Sequence, residues 1–182
     1  MAREPQHLDG QINGHFTEKN QEMNKYESTV KYANAPIERV YAMLSDLTSL
    51  EIIRQNISNP AYRQMVMEKA GDKVTPEQLD KIEQQVKDMV ITPDSITTNA
   101  GPVGQVTLNI VERDPQKLVK LEAVGLPIAA NLWIQMLDNG DGRTAIKTTI
   151  GAEMNFLIKQ MLKGKLQEGA EGLATTLSML PY

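Results

Sequence analysis

The side chains that most often carry catalysis are sparse in this chain, and their positions narrow the chemistry open to it. There is no cysteine, and both histidines, His7 and His15, precede residue 23. From Met23 onward, Ser-His-Asp, Cys-His and histidine-metal arrangements are therefore unavailable. A metal at His7 and His15 would need further ligands and a rigid frame, which the polar sequence around them does not suggest. Carboxylates, tyrosines, lysines and arginines remain for acid-base work. Glu112, Glu122 and Glu153 fall at outward-facing positions of strand-like runs, where a carboxylate is a solvated surface group. The acidic turn Asp138-Asn139-Gly140-Asp141-Gly142 lacks both the D-x-D-x-D-G spacing and the downstream glutamate of a calcium loop. Gly101-Pro102-Val103-Gly104 leads into a strand with no Lys-Ser/Thr after it, which makes it a turn and not a phosphate loop. No catalytic residue, metal ligand or cofactor site is expected.

With reactive groups scarce, weight falls on what the chain can enclose. Its 182 residues suffice for one domain with a real core or an enclosed cavity. There are 19 Lys+Arg against 23 Asp+Glu, a net charge of -4, and no basic block stands out. Neither nucleic acid nor an anionic membrane surface is a favoured partner on that count. The lack of cysteine fits a reducing compartment. No apolar run is long enough to span a membrane, and no charged-then-apolar signal pattern opens the chain, so stable membrane insertion is not expected and the cytoplasm is the default location. Residues 1–22 are polar and aperiodic, the composition of a disordered tail, and the domain is expected to occupy 23–182.

The elements follow from periodicity. Lys25 to Ala33 alternates with Tyr26, Ser28, Val30 and Tyr32 on one side, a half-buried strand. Asn34-Ala35-Pro36 then opens a short helix carrying Ile37, Val40, Tyr41 and Leu44, and Ser45 or Asp46 ends it and caps another from about Leu47 to Gln55. A helix or lid containing Met65, Val66 and Met67 precedes the capping box Thr75-Pro76-Glu77-Gln78 and its helix to Met89. After Pro93 come β-rich runs at 95–99, 103–113, 117–124, 129–137 and 143–153, the last two joined through Asn139-Gly140, a strong hairpin signal. Met154 to Leu180 is the longest stretch with a helical apolar period, placing Ile158, Leu162, Leu166, Leu173 and Leu177 in one stripe. Gly164, Gly169 and Gly172 interrupt it.

The segments KYESTVKYANAPIERVYAMLSDLTSLE, LWIQML and LQEGAEGLATTLSMLPY together resemble the START-like (SRPBCC) helix-grip superfamily over about residues 25–182. That superfamily includes polyketide cyclase/dehydrase-like and lipid-transfer members, and the terminal segment is similar to an uncharacterised bacterial subgroup. The resemblance implies an α+β helix-grip fold: a curved antiparallel sheet wrapped around the long C-terminal helix, with extra helices between the first two strands and residues 56–90 as an insertion. It also implies a deep cavity for a small hydrophobic or amphipathic molecule.

Strand alternation proposes the cavity wall. Leu108 and Ile110, then Val119 and Leu121, then Ile134 and Met136 point inward. From the last strand Ile146, Thr148 and Ile150 do the same. The terminal helix is expected to contribute Met161, Leu166, Gly169 and Leu173. Gly169 either leaves ligand space or permits close contact between helix and strand. Trp133 is either packed or a ligand platform, since both sides of its strand carry apolar groups. Three functions fit: binding or carrying an apolar ligand, a cyclase- or dehydratase-like reaction in the same cavity, or a co-chaperone-like interaction module.

Overall fold

The computed structural model describes residues 23–182, so the expected tail at 1–22, with His7 and His15, lies outside the described residues. The chain opens with β1 (Met23–Glu27) and β2 (Lys31–Ala33). Four helices follow: α1 (Ile37–Ser45), α2 (Glu51–Asn56), α3 (Pro60–Ala70) and α4 (Pro76–Lys87). Then come β3 (Val90–Ile91), β4 (Ser95–Asn99), β5 (Gln105–Asp114), β6 (Leu118–Val124), β7 (Ala130–Asp138) and β8 (Thr144–Glu153), and finally α5 (Phe156–Ser178). One antiparallel sheet runs in the order β1-β8-β7-β6-β5-β4-β3, with β2 continuing beside β8. The first and last strands are thus neighbours, and α5 crosses the inner face of the sheet. This is the α+β helix-grip architecture.

Local signals explain most boundaries. At α4, Thr75 Oγ1 accepts from Gln78 N while Gln78 Oε1 accepts from Thr75 N, a complete capping box. Asn59 caps α3, with Pro60 at its first position. Asp46 accepts from Thr48 N at 3.0 Å, but the turn it starts is a 3-10 segment, Leu47–Leu50, which passes into α2. The Asn139-Gly140 hairpin forms with a longer loop than a two-residue turn: Asp138 pairs with Thr144, and Asn139 N donates to Arg143 O. Inside that loop Asp141 is held by Arg143 Nε at 2.8 Å and Nη2 at 2.6 Å, and this guanidinium lowers its carboxyl to about 2.

The first strand departs from its expected phase. Glu27 pairs with Thr149 and Lys31 with Ile146, so three residues between them oppose two and a bulge lies between β1 and β2. Tyr26 and Ser28 are buried as alternation requires, yet Val30 and Tyr32 are exposed and Ala33 is buried. One extra residue has moved the second half of the strand to the opposite face.

The core lies where α1 and the C-terminal part of α5 meet the sheet: Val40, Val119, Ile146 and Leu177 belong to one buried cluster. Ala170 and Ala174 are fully buried, and their small side chains let the helix approach the strands. Thr148 Oγ1, itself buried, donates to Ala170 O at 2.7 Å. At the bulge, Glu171 accepts from Thr29 N at 2.6 Å and from Thr29 Oγ1 at 3.0 Å, with Lys31 Nζ at 3.6 Å. Gln167 Nε2 donates to Glu27 O at 2.7 Å. The bulge and the helix therefore fix one another.

The Thr29 backbone N–H, foremost among these partners, lowers the Glu171 carboxyl from the ordinary value of 4.5. A depressed carboxylate contributes stability above its unfolded value and loses it as pH falls through the folded value. Glu171→Gln should therefore lower the urea midpoint at neutral pH. The deficit should shrink as the pH drops below 4.5, the ordinary value. An equal deficit at both ends of a pH series of urea melts would exclude this role.

A candidate ligand cavity between sheet and terminal helix

Where the C-terminal half of α5 lies close to the sheet, its N-terminal half stands off it. The difference in side-chain size across the sheet accounts for the space. Ala123 pairs with Ala130, and Ala130 with Ala152, so three alanines stand side by side on β6, β7 and β8 at one level of the inner face. One level deeper the same strands carry Leu121, Leu132 and Ile150. Opposite the alanines α5 presents Ile158, Leu162 and Leu166. The result is a partly open cavity of about 500 Å³, bordered at its outer end by Val103 and by Leu126, Pro127 and Ile128 of the β6–β7 loop. Gly125 sets up that loop with φ +98°, and a Cβ there would meet Gln105 O at 2.3 Å, so only glycine fits.

The wall is aliphatic apart from Asn131, whose Nδ2 is directed at Met23 Sδ, 3.7 Å away. No titratable side chain lines the cavity among the described residues. The volume falls within the ~300–1,000 Å³ usual for small-molecule sites. The cavity wall is apolar surface that the surrounding side chains leave uncovered. An apolar molecule entering this space therefore gains burial that the protein alone does not provide.

The expected site residues divide between two regions. Leu108, Ile150, Leu166 and Leu173 line the cavity. Ile110, Val119, Leu121, Ile134, Met136 and Ile146 face inward but are packed in the core cluster beyond it, and Thr148 is tied to Ala170. Gly169 is exposed at the cavity edge, and a Cβ there would touch Ile150 Cδ1 at 3.5 Å, an ordinary contact. Met161 is corrected outright: it is exposed on the solvent side of α5 and takes no part in the lining. Alternation also turns Ala123 and Ala152 inward, but Ala130, which joins them into a row, and the β6–β7 loop lie outside the expected site. That the three form one row shows only through strand register, which brings together positions far apart in sequence.

Trp133 lies away from the cavity, on the outer face of the sheet. It lies against Gly151, where a Cβ would come within 2.6 Å of the ring, and Lys25 and Lys120 place their ammonium groups 5.0 and 5.3 Å from the ring centroid. Glu112 and Glu122 are exposed and Glu153 is half-buried. Tyr26 packs with Ala152 and Met154 beside Ile158 and Leu162, and its buried hydroxyl has no hydrogen-bond partner among the described residues. Nothing in the structure explains Gly164 or Gly172, which face open space.

Sheet and terminal helix, with an apolar cavity between them, define a helix-grip fold. That fold is shared with norcoclaurine synthase from Thalictrum flavum, which matches at a TM-score of 0.52 and 10% identity over 96% of each chain. A structure of that enzyme in complex with dopamine and hydroxybenzaldehyde matches at 0.51 and 10% identity, over 88% of this chain and 89% of the other. A solution structure from Thermobifida fusca matches at 0.51 and 12% identity, over 85% and 89%. At these identities the likeness is one of fold. No protein-family model and no curated protein matches the sequence significantly.

Two substitutions probe this geometry through stability. Gly169→Ala should stabilise by about 0.5–1 kcal/mol, because a helix-interior glycine is replaced where the methyl has room. A loss in denaturant titration would show that the helix cannot accept it. Tyr26→Phe removes a hydroxyl buried without a partner and should leave stability unchanged or raise it by about 1 kcal/mol. A fall of that size in the same titration would mean the hydroxyl is satisfied.

Proposed function

We propose that this protein binds or carries a small hydrophobic or amphipathic molecule, lipid-like or polyketide-like, in the cavity between the alanine row and the N-terminal half of α5. The observation that carries this reading is an aliphatic cavity of about 500 Å³ built by small side chains at one sheet level. Affinity would come from apolar burial, with shape and size as the main selectors. A cyclase-like reaction in the same space would require a titratable group at the wall, and the described lining provides none, so binding is the better supported reading. The cavity also weighs against the co-chaperone-like alternative, which a solid interior would have favoured.

Titration with a hydrophobic dye and with medium-chain fatty acids should give saturable, mutually displaceable binding at about one site per chain, accompanied by a rise in melting temperature. Ala130→Leu should reduce that binding at least about tenfold while the chain stays folded, because leucine occupies space that the ligand needs. Native mass spectrometry of protein from its own host would identify the class of bound molecule. A folded wild-type chain that binds none of the panel, or an Ala130→Leu variant that binds as wild type does, would overturn the assignment.

A further inference from the structure

The first turns of α5 are apolar on both sides. Ile158, Leu162 and Leu166 face the cavity, yet Phe156, Leu157 and Met161 are 71%, 72% and 76% exposed. Large apolar side chains on a second side of a helix are ordinarily buried too, and these are not. Leu157 and Met161, four residues apart, stand on the same side of the helix, with Phe156, Gln160 and Gly164 adjoining, so the outer face carries no charge over these turns until Glu168 ends it. Lys163 borders it on one flank and Lys165 on the other, with Lys159 one turn before Lys163. All three lysines are exposed, and none is paired with a carboxylate among the described residues. Between Glu153 and Glu168 the chain has these three lysines and no Asp or Glu, although its overall charge is -4. The total therefore conceals a local cationic segment.

We propose that this end of α5 docks the protein on an anionic phospholipid surface, with Phe156, Leu157 and Met161 seated among the acyl chains and the three lysines among the headgroups. Apolar residues bordered by lysines are what an interfacial helix requires, and such a helix rests about 5–10 Å into the headgroup boundary without crossing. No helix among the described residues is long and apolar enough to span a membrane, so docking is peripheral. The same helical turns supply Ile158 and Leu162 to the cavity wall. A docked helix would bring the cavity against the lipid phase, and a ligand would pass between bilayer and protein with little exposure to water. That consequence rests on the binding function proposed above; the docking itself does not.

Co-sedimentation with vesicles tests it, using phosphatidylcholine mixed with an equal share of phosphatidylglycerol against phosphatidylcholine alone. The full chain should bind the mixed vesicles at least about tenfold more strongly, and added salt should weaken the binding. Leu157→Gln combined with Met161→Gln, and separately Lys159→Gln with Lys163→Gln and Lys165→Gln, should each reduce it about tenfold. Ala130→Leu, which leaves the outer face unchanged, should bind vesicles as wild type does. A protein that binds vesicles but no dye keeps docking and loses the carrier reading; one that binds dye but no vesicles does the reverse. Equal binding by wild type and both surface variants overturns docking. So does a dimer in sedimentation velocity that the Leu157→Gln, Met161→Gln variant dissociates, since a second copy would then be the occupant of this face.

Discussion

The approach of α5 to β8 is the contact on which the rest of this structure depends, because a helix can lie flat on a curved sheet only where its side chains are small. Ala170 and Ala174 meet that condition and are completely buried. Thr148 then reaches a helix carbonyl directly, and Glu171 grips the bulged first strand. Burying the Thr148 hydroxyl is tolerable because it is hydrogen-bonded. The helix is thus pinned over its C-terminal half, and the large residues of its N-terminal half, held above three alanines, cannot close the gap they leave. Core and cavity are two consequences of one graded interface.

That gradation separates two roles within a single apolar face. Residues such as Ile146 and Val119 have no exposure and are part of a close-packed interior, where a change of even one methylene is felt. Leu108 and Ile150, on the same face, are only partly buried and border free space. The outer face of the sheet is different again: Trp133 lies on glycine there, with the ammonium groups of two lysines over its ring.

Some errors of sequence reading have identifiable physical origins. Alternation cannot register an inserted residue when the residues around it are interchangeable in polarity, and Ser28-Thr29-Val30 are of that kind. The bulge therefore passed unseen and reversed Tyr32. Met161 was misplaced because helical periodicity identifies a face only when the other face is polar. Over Phe156–Leu162 both faces are apolar, and the pattern offers two equally good inner sides.

What the sequence determined by itself was the order and type of the elements, the inward face of β5 to β8 and the family of folds, because these depend on local periods of two and 3.6 residues and on caps such as Thr75. The resemblance carried by Ala35 to Asp46 and by the terminal helix placed those elements in the helix-grip arrangement. Only the tertiary structure decided which inward residues border a cavity and which fill a core. Ala123, Ala130 and Ala152 become one surface solely through strand register, and the helix stands clear of them because it is drawn down elsewhere, at Ala170 and Ala174. Neither relation is local, so no window of the chain contains it.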